Sequence, residues 1–148
     1  MGTDGATYAD QQKVFDELGQ GVLKNAYEGF NSCLFAYGQT GSGKTAAFGL
    51  GLLSRLKVSR FRVQSLVLCP TRELADQVAG EIRRLARGLH NVKVLTLCGG
   101  APFGPQLGSL EHGAHIIVGT PGRVDEHLRK GSLSLVELNT LVLDEADR

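Results

Sequence analysis

With 148 residues, 42% of them hydrophobic and 21% charged, the chain has room for one compact core and not comfortably for two, and its balance is ordinary for a globular protein. A formal net charge of +1 leaves no global field that would advertise a nucleic-acid or membrane partner. The charge is uneven: residues 1–45 hold three Lys/Arg against five Asp/Glu, and residues 46–148 hold thirteen against ten, a mild basic bias that permits RNA without arguing for it.

In chain order, residues 1–6 are small and polar and expected to fray. From Asp10 to Gly29, Val14, Leu18, Val22 and Ala26 recur on the rhythm of one helix face, with Phe15 and Leu23 widening it. Cys33-Leu34-Phe35-Ala36-Tyr37 is a short apolar run that reads as a buried strand. It feeds directly into Gly38-Gln39-Thr40-Gly41-Ser42-Gly43-Lys44-Thr45, after which a helix runs through Leu56. The alternation then repeats. Ser65–Cys69 reads as a strand. Arg72–Leu89 reads as an amphipathic helix with Leu74, Val78, Ile82, Leu85 and Leu89 on one face. Val92–Leu97 is the next strand, followed by the Gly99-Gly100 loop and a weaker helix near Pro105–His112. His115–Val118 is a strand, Pro121–Lys130 a short helix, and Thr140–Asp144 the last strand. Strands that are continuous Val/Ile/Leu runs, alternating with helices, predict an α/β fold of three layers, a parallel sheet covered on both faces. A single domain over residues 1–148 is expected.

Cys33, Cys69 and Cys98 lie far apart inside apolar runs. Their odd count and the absence of CxxC argue against a disulfide framework and predict buried, reduced thiols. His90, His112, His115 and His127 show no zinc-ligand spacing with them. No apolar stretch is long enough for a membrane span and no signal-peptide pattern opens the chain, so a cytoplasmic setting is the expectation.

Gly38-x-x-x-x-Gly43-Lys44-Thr45 fits the Walker A pattern without a departure. The chemistry needs these residue types. Successive backbone N–H groups must close around a phosphate, and only small residues let the chain approach so near. The helix that follows adds its positive end. Lys44 would place an ammonium between the outer phosphates of ATP, and the Thr45 hydroxyl would join the Mg²⁺ shell. The bland alternative is a glycine-rich strand–helix turn that binds nothing. Sites of this type also need an acidic residue at the end of another strand. Leu141-Val142-Leu143-Asp144 supplies one, with Asp144 the candidate magnesium partner through water and Glu145 the candidate for polarising an attacking water. An acidic, solvated tail explains the same residues on their own.

From Ser42 onward the chain resembles the first RecA-like domain of a DEAD-box RNA helicase, of the bacterial DbpA type. The residues that carry this are Thr40–Thr45 running into Ala46-Ala47-Phe48-Gly49-Leu50, Pro70-Thr71-Arg72-Glu73-Leu74-Ala75-Asp76-Gln77, Gly99-Gly100, Thr120-Pro121-Gly122-Arg123 and Asp144-Glu145-Ala146-Asp147. The resemblance implies ATP and magnesium as cofactors and a face for single-stranded RNA built from Pro70, Thr71, Arg72, Glu73, Gly99, Gly100, Thr120, Pro121, Gly122 and Arg123. Thr71 can cap a helix whose amides face a phosphate, and Arg72 and Arg123 can pair with phosphate oxygens. Local turn and cap chemistry accounts for the same residues without RNA.

Residues 7–45 resemble a different family. Thr7-Tyr8, Gln11–Phe15, Ala26-Tyr27-Glu28-Gly29-Phe30-Asn31 and Phe35-Ala36-Tyr37 running through Thr45 are similar to a kinesin motor domain of the kinesin-3 branch. The seam falls inside the phosphate loop that both families share, so the chain reads as a chimera of P-loop fragments. The helicase resemblance implies an adenine-reading Q motif upstream, which the kinesin-like segment replaces, so base selectivity is expected to be weak. It also implies a strand after the acidic motif, lying between the phosphate-loop strand and the acidic strand. Without it, either the sheet has a gap or those two strands pair directly. A helicase-derived ATP-binding domain with weak, uncoupled hydrolysis and no unwinding is the leading expectation. A silent P-loop scaffold is the second. A microtubule motor is not expected, because no kinesin element follows Thr45.

Overall fold

The computed structural model describes residues 33–37 and 49–144. The expected helix over Asp10–Gly29, the phosphate loop Gly38–Thr45 and Glu145 lie outside the described residues.

Five strands form one parallel sheet: β1 (Cys33–Tyr37), β2 (Ser65–Leu68), β3 (Val94–Leu97), β4 (Ile116–Gly119) and β5 (Thr140–Asp144), in the order β1-β5-β2-β4-β3. Every residue of β2 and β4 is buried. Strands covered on both faces need apolar side chains at every position, and Leu66-Val67-Leu68 and Ile116-Ile117-Val118 supply them. β3 is an edge strand and only its last residue, Leu97, is buried.

Three helices are described over their full length: α1 (Arg72–Leu85), α2 (Phe103–His112) and α3 (Pro121–Arg129). A further helical stretch covers residues 49–54. The period-two alternation of the strands sorts the core into two layers. On one face, Val67, Cys69, Ile116, Val118 and Val142 meet Leu52 and Leu53 and the α1 stripe Ala75, Val78, Ala79 and Ile82. On the other, Leu66, Leu68, Leu97, Ile117 and Leu141 meet Val124 of α3 and the returning segment with Leu133 and Leu138. The three-layer α/β architecture expected from the sequence is the one observed.

Most boundaries shift by one or two residues from the sequence reading: β2 ends at Leu68, β4 spans Ile116–Gly119, α2 starts at Phe103 and α3 ends at Arg129; the end of α1 and the start of β3 also differ. The α-helix from Arg72 ends at Leu85 and tightens into a 3-10 turn over Ala86–Gly88, so Leu89 leaves the apolar stripe and is exposed. Gly88 and the left-handed Asn91 explain the stop, because neither residue favours continuing a helix. β3 also begins at Val94 rather than Val92. Cys69 and Cys98 are buried and form no disulfide, as expected.

The alternative left open by the sequence is resolved in favour of direct pairing. β1 and β5 lie side by side, with Cys33 opposite Thr140 and Tyr37 opposite Asp144. The sheet has no gap at that position.

Candidate functional site

The strand registers bring the carboxyl ends of all five strands level. Tyr37 lies opposite Asp144, Leu68 opposite both Leu143 and Gly119, and Gly119 opposite Leu97. Each candidate segment leaves from this one edge. Gly38 follows Tyr37, Asp144 closes β5, Pro70–Glu73 follows β2, Gly99-Gly100 follows β3, and Thr120–Arg123 follows β4. In open parallel sheets, ligands bind beyond this carboxyl edge.

After β2, Thr71 is extended and its Oγ1 accepts from the Leu74 amide at 3.2 Å, which caps α1 as its sequence position suggests. Thr71, Arg72 and Glu73 are exposed. The first-turn amides of α1 and its positive end therefore face solvent at the carboxyl edge.

After β4, Thr120 sits at the start of α3 but does not cap it. Its Oγ1 instead accepts from the Gly99 amide at 3.1 Å, and its own amide donates to the Leu97 carbonyl at 3.0 Å. Pro121 occupies the first helical turn, where a missing N–H costs nothing. Gly119 is required for the approach of β4 to β3, because a Cβ there would stand 2.4 Å from the Leu97 carbonyl oxygen.

Arg123 is largely turned inward. Its Nη1 donates to the Ala101 carbonyl at 2.8 Å and to Gln106 Oε1 at 3.1 Å, and its Nε pairs with Glu126 at 3.1 Å. Its guanidinium also lies over the Phe103 ring, 5.5 Å from the centroid. Three of the five donors are therefore used, which leaves the Nη2 hydrogens without a partner among the described residues. Sequence reasoning took Arg123 as a phosphate ligand. The structure adds that it fastens the loop after β3 to α3.

That loop is fixed at both ends. Gly99 is buried and bonded to Thr120, Gly100 is exposed with φ +85°, and Ala101 is held by Arg123. The positive φ is the conformation that glycine adopts without penalty. Burial pushes the Cys98 thiol beneath the loop up to about 11, with Asp76 adding to the shift and Arg72 opposing it.

Sequence reasoning missed Gln106, His127 and Ser132. Gln106 and His127 are buried and bonded to each other under the same loop. The available signal was a polar Gln one turn before Leu110 on a helix that has to cover the sheet. Among the described residues no cluster of three or more His, Cys, Asp or Glu side chains could hold a metal ion. No described helix is long and apolar enough to cross a membrane.

The model of the DEAD/DEAH box helicase family matches residues 8–148. The chain belongs to that family. It is 71% identical over 110 residues to the ATP-dependent RNA helicase DbpA of Escherichia coli, which is 74% of this chain and 24% of the relative. It is 50% identical over 109 residues to the ATP-dependent RNA helicase DeaD of Haemophilus influenzae, covering 74% of this chain and 18% of that one. The chain thus spans about a quarter or less of these helicases. A DEAD box protein from the hyperthermophile Methanococcus jannaschii superposes with a TM-score of 0.70 at 38% identity, over 86% of this chain and 34% of its own. A Dbp5 variant of S. cerevisiae bound to RNA and ADP BeF3 superposes with a TM-score of 0.65 at 30% identity, over 78% of this chain and 28% of its own. The helicase-family match starts at residue 8 and so runs through the segment that the sequence reading took as kinesin-like.

Proposed function

We propose that this chain is a Mg²⁺-ATP-binding helicase domain with a shallow face for the backbone of single-stranded RNA, and that its hydrolysis is weak and uncoupled from unwinding. The observation that carries this reading is the level carboxyl edge of the sheet. The backbone of Asp144 stands beside Tyr37, the residue before the phosphate loop, and the starts of α1 and α3 and the Gly99-Gly100 turn share the same edge.

In this reading Gly38–Thr45 would wrap the phosphates by its amides, Lys44 would neutralise the outer phosphates, Thr45 and, through water, Asp144 would hold Mg²⁺, and Glu145 would orient a water. Mg²⁺ would supply charge neutralisation on the transferring phosphoryl group. The exposed start of α1 with Arg72, the Gly100 turn and the Nη2 edge of Arg123 would take phosphate oxygens of RNA. Such contacts position a strand without reading its bases. The whole described chain acts as one domain, in a cytoplasmic setting. A ligand held by a few backbone contacts should bind weakly and lose affinity steeply with salt.

The kinesin-like reading of residues 7–45 rests on their sequence alone. A chimera of this kind keeps the shared phosphate loop and gives up both parents' adenine contacts, so ATP and GTP should bind alike. Microtubules are not expected to bind, and co-sedimentation that responds to ATP would overturn that.

Thermal melts of the chain and of Lys44→Ala, with and without Mg²⁺-ATP, test the nucleotide half. Ligand at a hundred times its Kd stabilises by about 2.7 kcal/mol, or roughly 5–10 °C for a domain of this size. A rise in the parent chain only supports the reading. Indifference to nucleotide in both chains supports a silent scaffold.

A further inference from the structure

A buried hydrogen-bond relay lies directly under the Gly99-Gly100 turn and joins three elements. Gln106 of α2 donates from Nε2 to the Cys98 carbonyl at 3.2 Å. Its Oε1 receives Arg123 Nη1 at 3.1 Å and lies 2.8 Å from His127 Nε2. His127 Nδ1 lies 2.7 Å from Ser132 Oγ, which is also placed to donate to the His127 carbonyl at 3.1 Å. The Phe103 ring stacks on the imidazole, 4.2 Å between centroids and 9° from parallel. Gln106 and His127 are buried, His127 completely.

For a neutral imidazole the donors and acceptors leave one consistent assignment. Arginine can only donate, and the Cys98 carbonyl can only accept, so the Gln106 amide cannot be flipped. Its oxygen must then accept from His127 as well, which puts the imidazole proton on Nε2. In the neutral ring, Nδ1 takes the single Ser132 hydroxyl proton in place of the His127 carbonyl, which keeps the backbone amides of Ser132 and Leu133 as donors. The tautomer with its proton on Nδ1 alone would set a ring lone pair against the Gln106 oxygen.

We infer that Gln106 and His127 are positioning residues for the RNA-backbone face, a relay that sets the height of the Gly99-Gly100 turn and the aim of Arg123. The inference rests on the proposed RNA reading of that face. Neither residue reaches the surface. Gln106 acts through the Cys98 carbonyl at one end of the turn. Through Arg123 it also acts on the Ala101 carbonyl at the other end. His127 acts by holding the Gln106 oxygen in place. Loss of Gln106 frees three partners at once: the Cys98 carbonyl, one Arg123 donor and the His127 Nε2 proton.

The neutral state of His127 fits its surroundings. Burial lowers its affinity for a proton, Arg123 and then Lys130 act in the same direction, and Glu126 opposes them. The other groups against the ring, Gln106 and Phe103 from α2 and Ser132 from the turn after α3, carry no charge.

The test compares the full chain with Gln106→Leu and Gln106→Glu. Binding of a fluorescein-labelled single-stranded RNA decamer is read by anisotropy at low salt. Exchange of the Gly99 amide and titration of His127 are read by NMR. Gln106→Leu is expected to weaken RNA by about tenfold, as one buried hydrogen bond lost from the bound geometry would. It should also speed Gly99 exchange while amides of β2 and β4 stay protected. Gln106→Glu, which keeps the shape, is expected to raise the pKa of His127 by placing a carboxylate on its Nε2 side, and to loosen Gly99 because it cannot donate to Cys98. If the parent chain binds RNA and Gln106→Leu binds it equally, the positioning role is wrong and the RNA reading survives. If the parent chain does not bind RNA, the RNA reading itself fails and takes this role with it. A His127 titration that ignores Gln106→Glu refutes the relay geometry whatever RNA does, including where Gln106→Leu fails to fold.

Discussion

Replacing Gly119 by alanine puts one methyl group against the backbone of the neighbouring strand. The new Cβ would lie 2.4 Å from the Leu97 carbonyl oxygen and 2.8 Å from a methyl of Val124. Val124 can rotate, but Leu97 is backbone in the neighbouring strand and cannot step aside alone. Reaching ordinary contact requires about 1 Å of separation between β4 and β3, in a core packed to crystal-like density. Overpacking of this kind costs about 1–3 kcal/mol. The displaced Leu97 oxygen is also the acceptor for the Thr120 amide, and losing that bond adds roughly 1 kcal/mol. Gly119→Ala is therefore expected to lower the melting temperature by about 4–16 °C, read by thermal and urea unfolding with an unchanged m-value. Gly108→Ala is the control. It lies within α2 and a Cβ there would meet nothing within 4 Å, so relief of glycine's backbone entropy should stabilise by roughly 0.5–1 kcal/mol. A Gly119→Ala chain that melts with the parent would refute the claim that this strand pair admits only glycine.

Thr71→Ala removes the side-chain acceptor of the Leu74 amide and is expected to cost about 1 kcal/mol in urea unfolding, with Thr71→Ser close to the parent. His127 has a folded-state pKa below its ordinary value because it is buried and faces Arg123. The unfolded chain then takes up a proton at a higher pH than the folded one, so the contribution is present above the ordinary histidine pKa and is lost as pH falls toward the folded value. Melts at pH 5 and pH 7.5 should differ by less in His127→Gln than in the parent. Burial raises the Cys98 thiol to about 11, so iodoacetamide at pH 8 should leave it unmodified in the folded chain and label it in urea, as mass spectrometry of the peptide would show.

The strands were legible because each is a run of apolar residues long enough for a covered strand and too short for a helix. The start of α1 was legible because Thr71 is a good cap just before an apolar stripe. The order of the strands was not, since pairing of Cys33 with Thr140 is a long-range choice that no local pattern encodes. The candidate loops were named from their residues, but their meeting at one edge follows only from the registers. Gln106 and His127 were invisible for a related reason. Each looks like an ordinary polar helix residue, and their role depends on Cys98, Arg123 and Ser132, which other segments bring to them. The early end of α1 reflects Gly88 and Asn91 outweighing the apolar rhythm that Leu89 continues.

The pairing of β1 with β5 also has a consequence for how the chain assembles during synthesis. Among the described strands β1 emerges first, yet the one strand it is bonded to, Thr140–Asp144, emerges last. Closing so long a loop is entropically unfavourable until the partner surface exists. β2, β3 and β4 can pair as soon as their own segments are made, and β5 then completes the bed on which β1 docks. The strand that leads into the phosphate loop should therefore be the last to acquire protection in a pulse-labelling experiment, and nucleotide binding should appear only at the end of refolding.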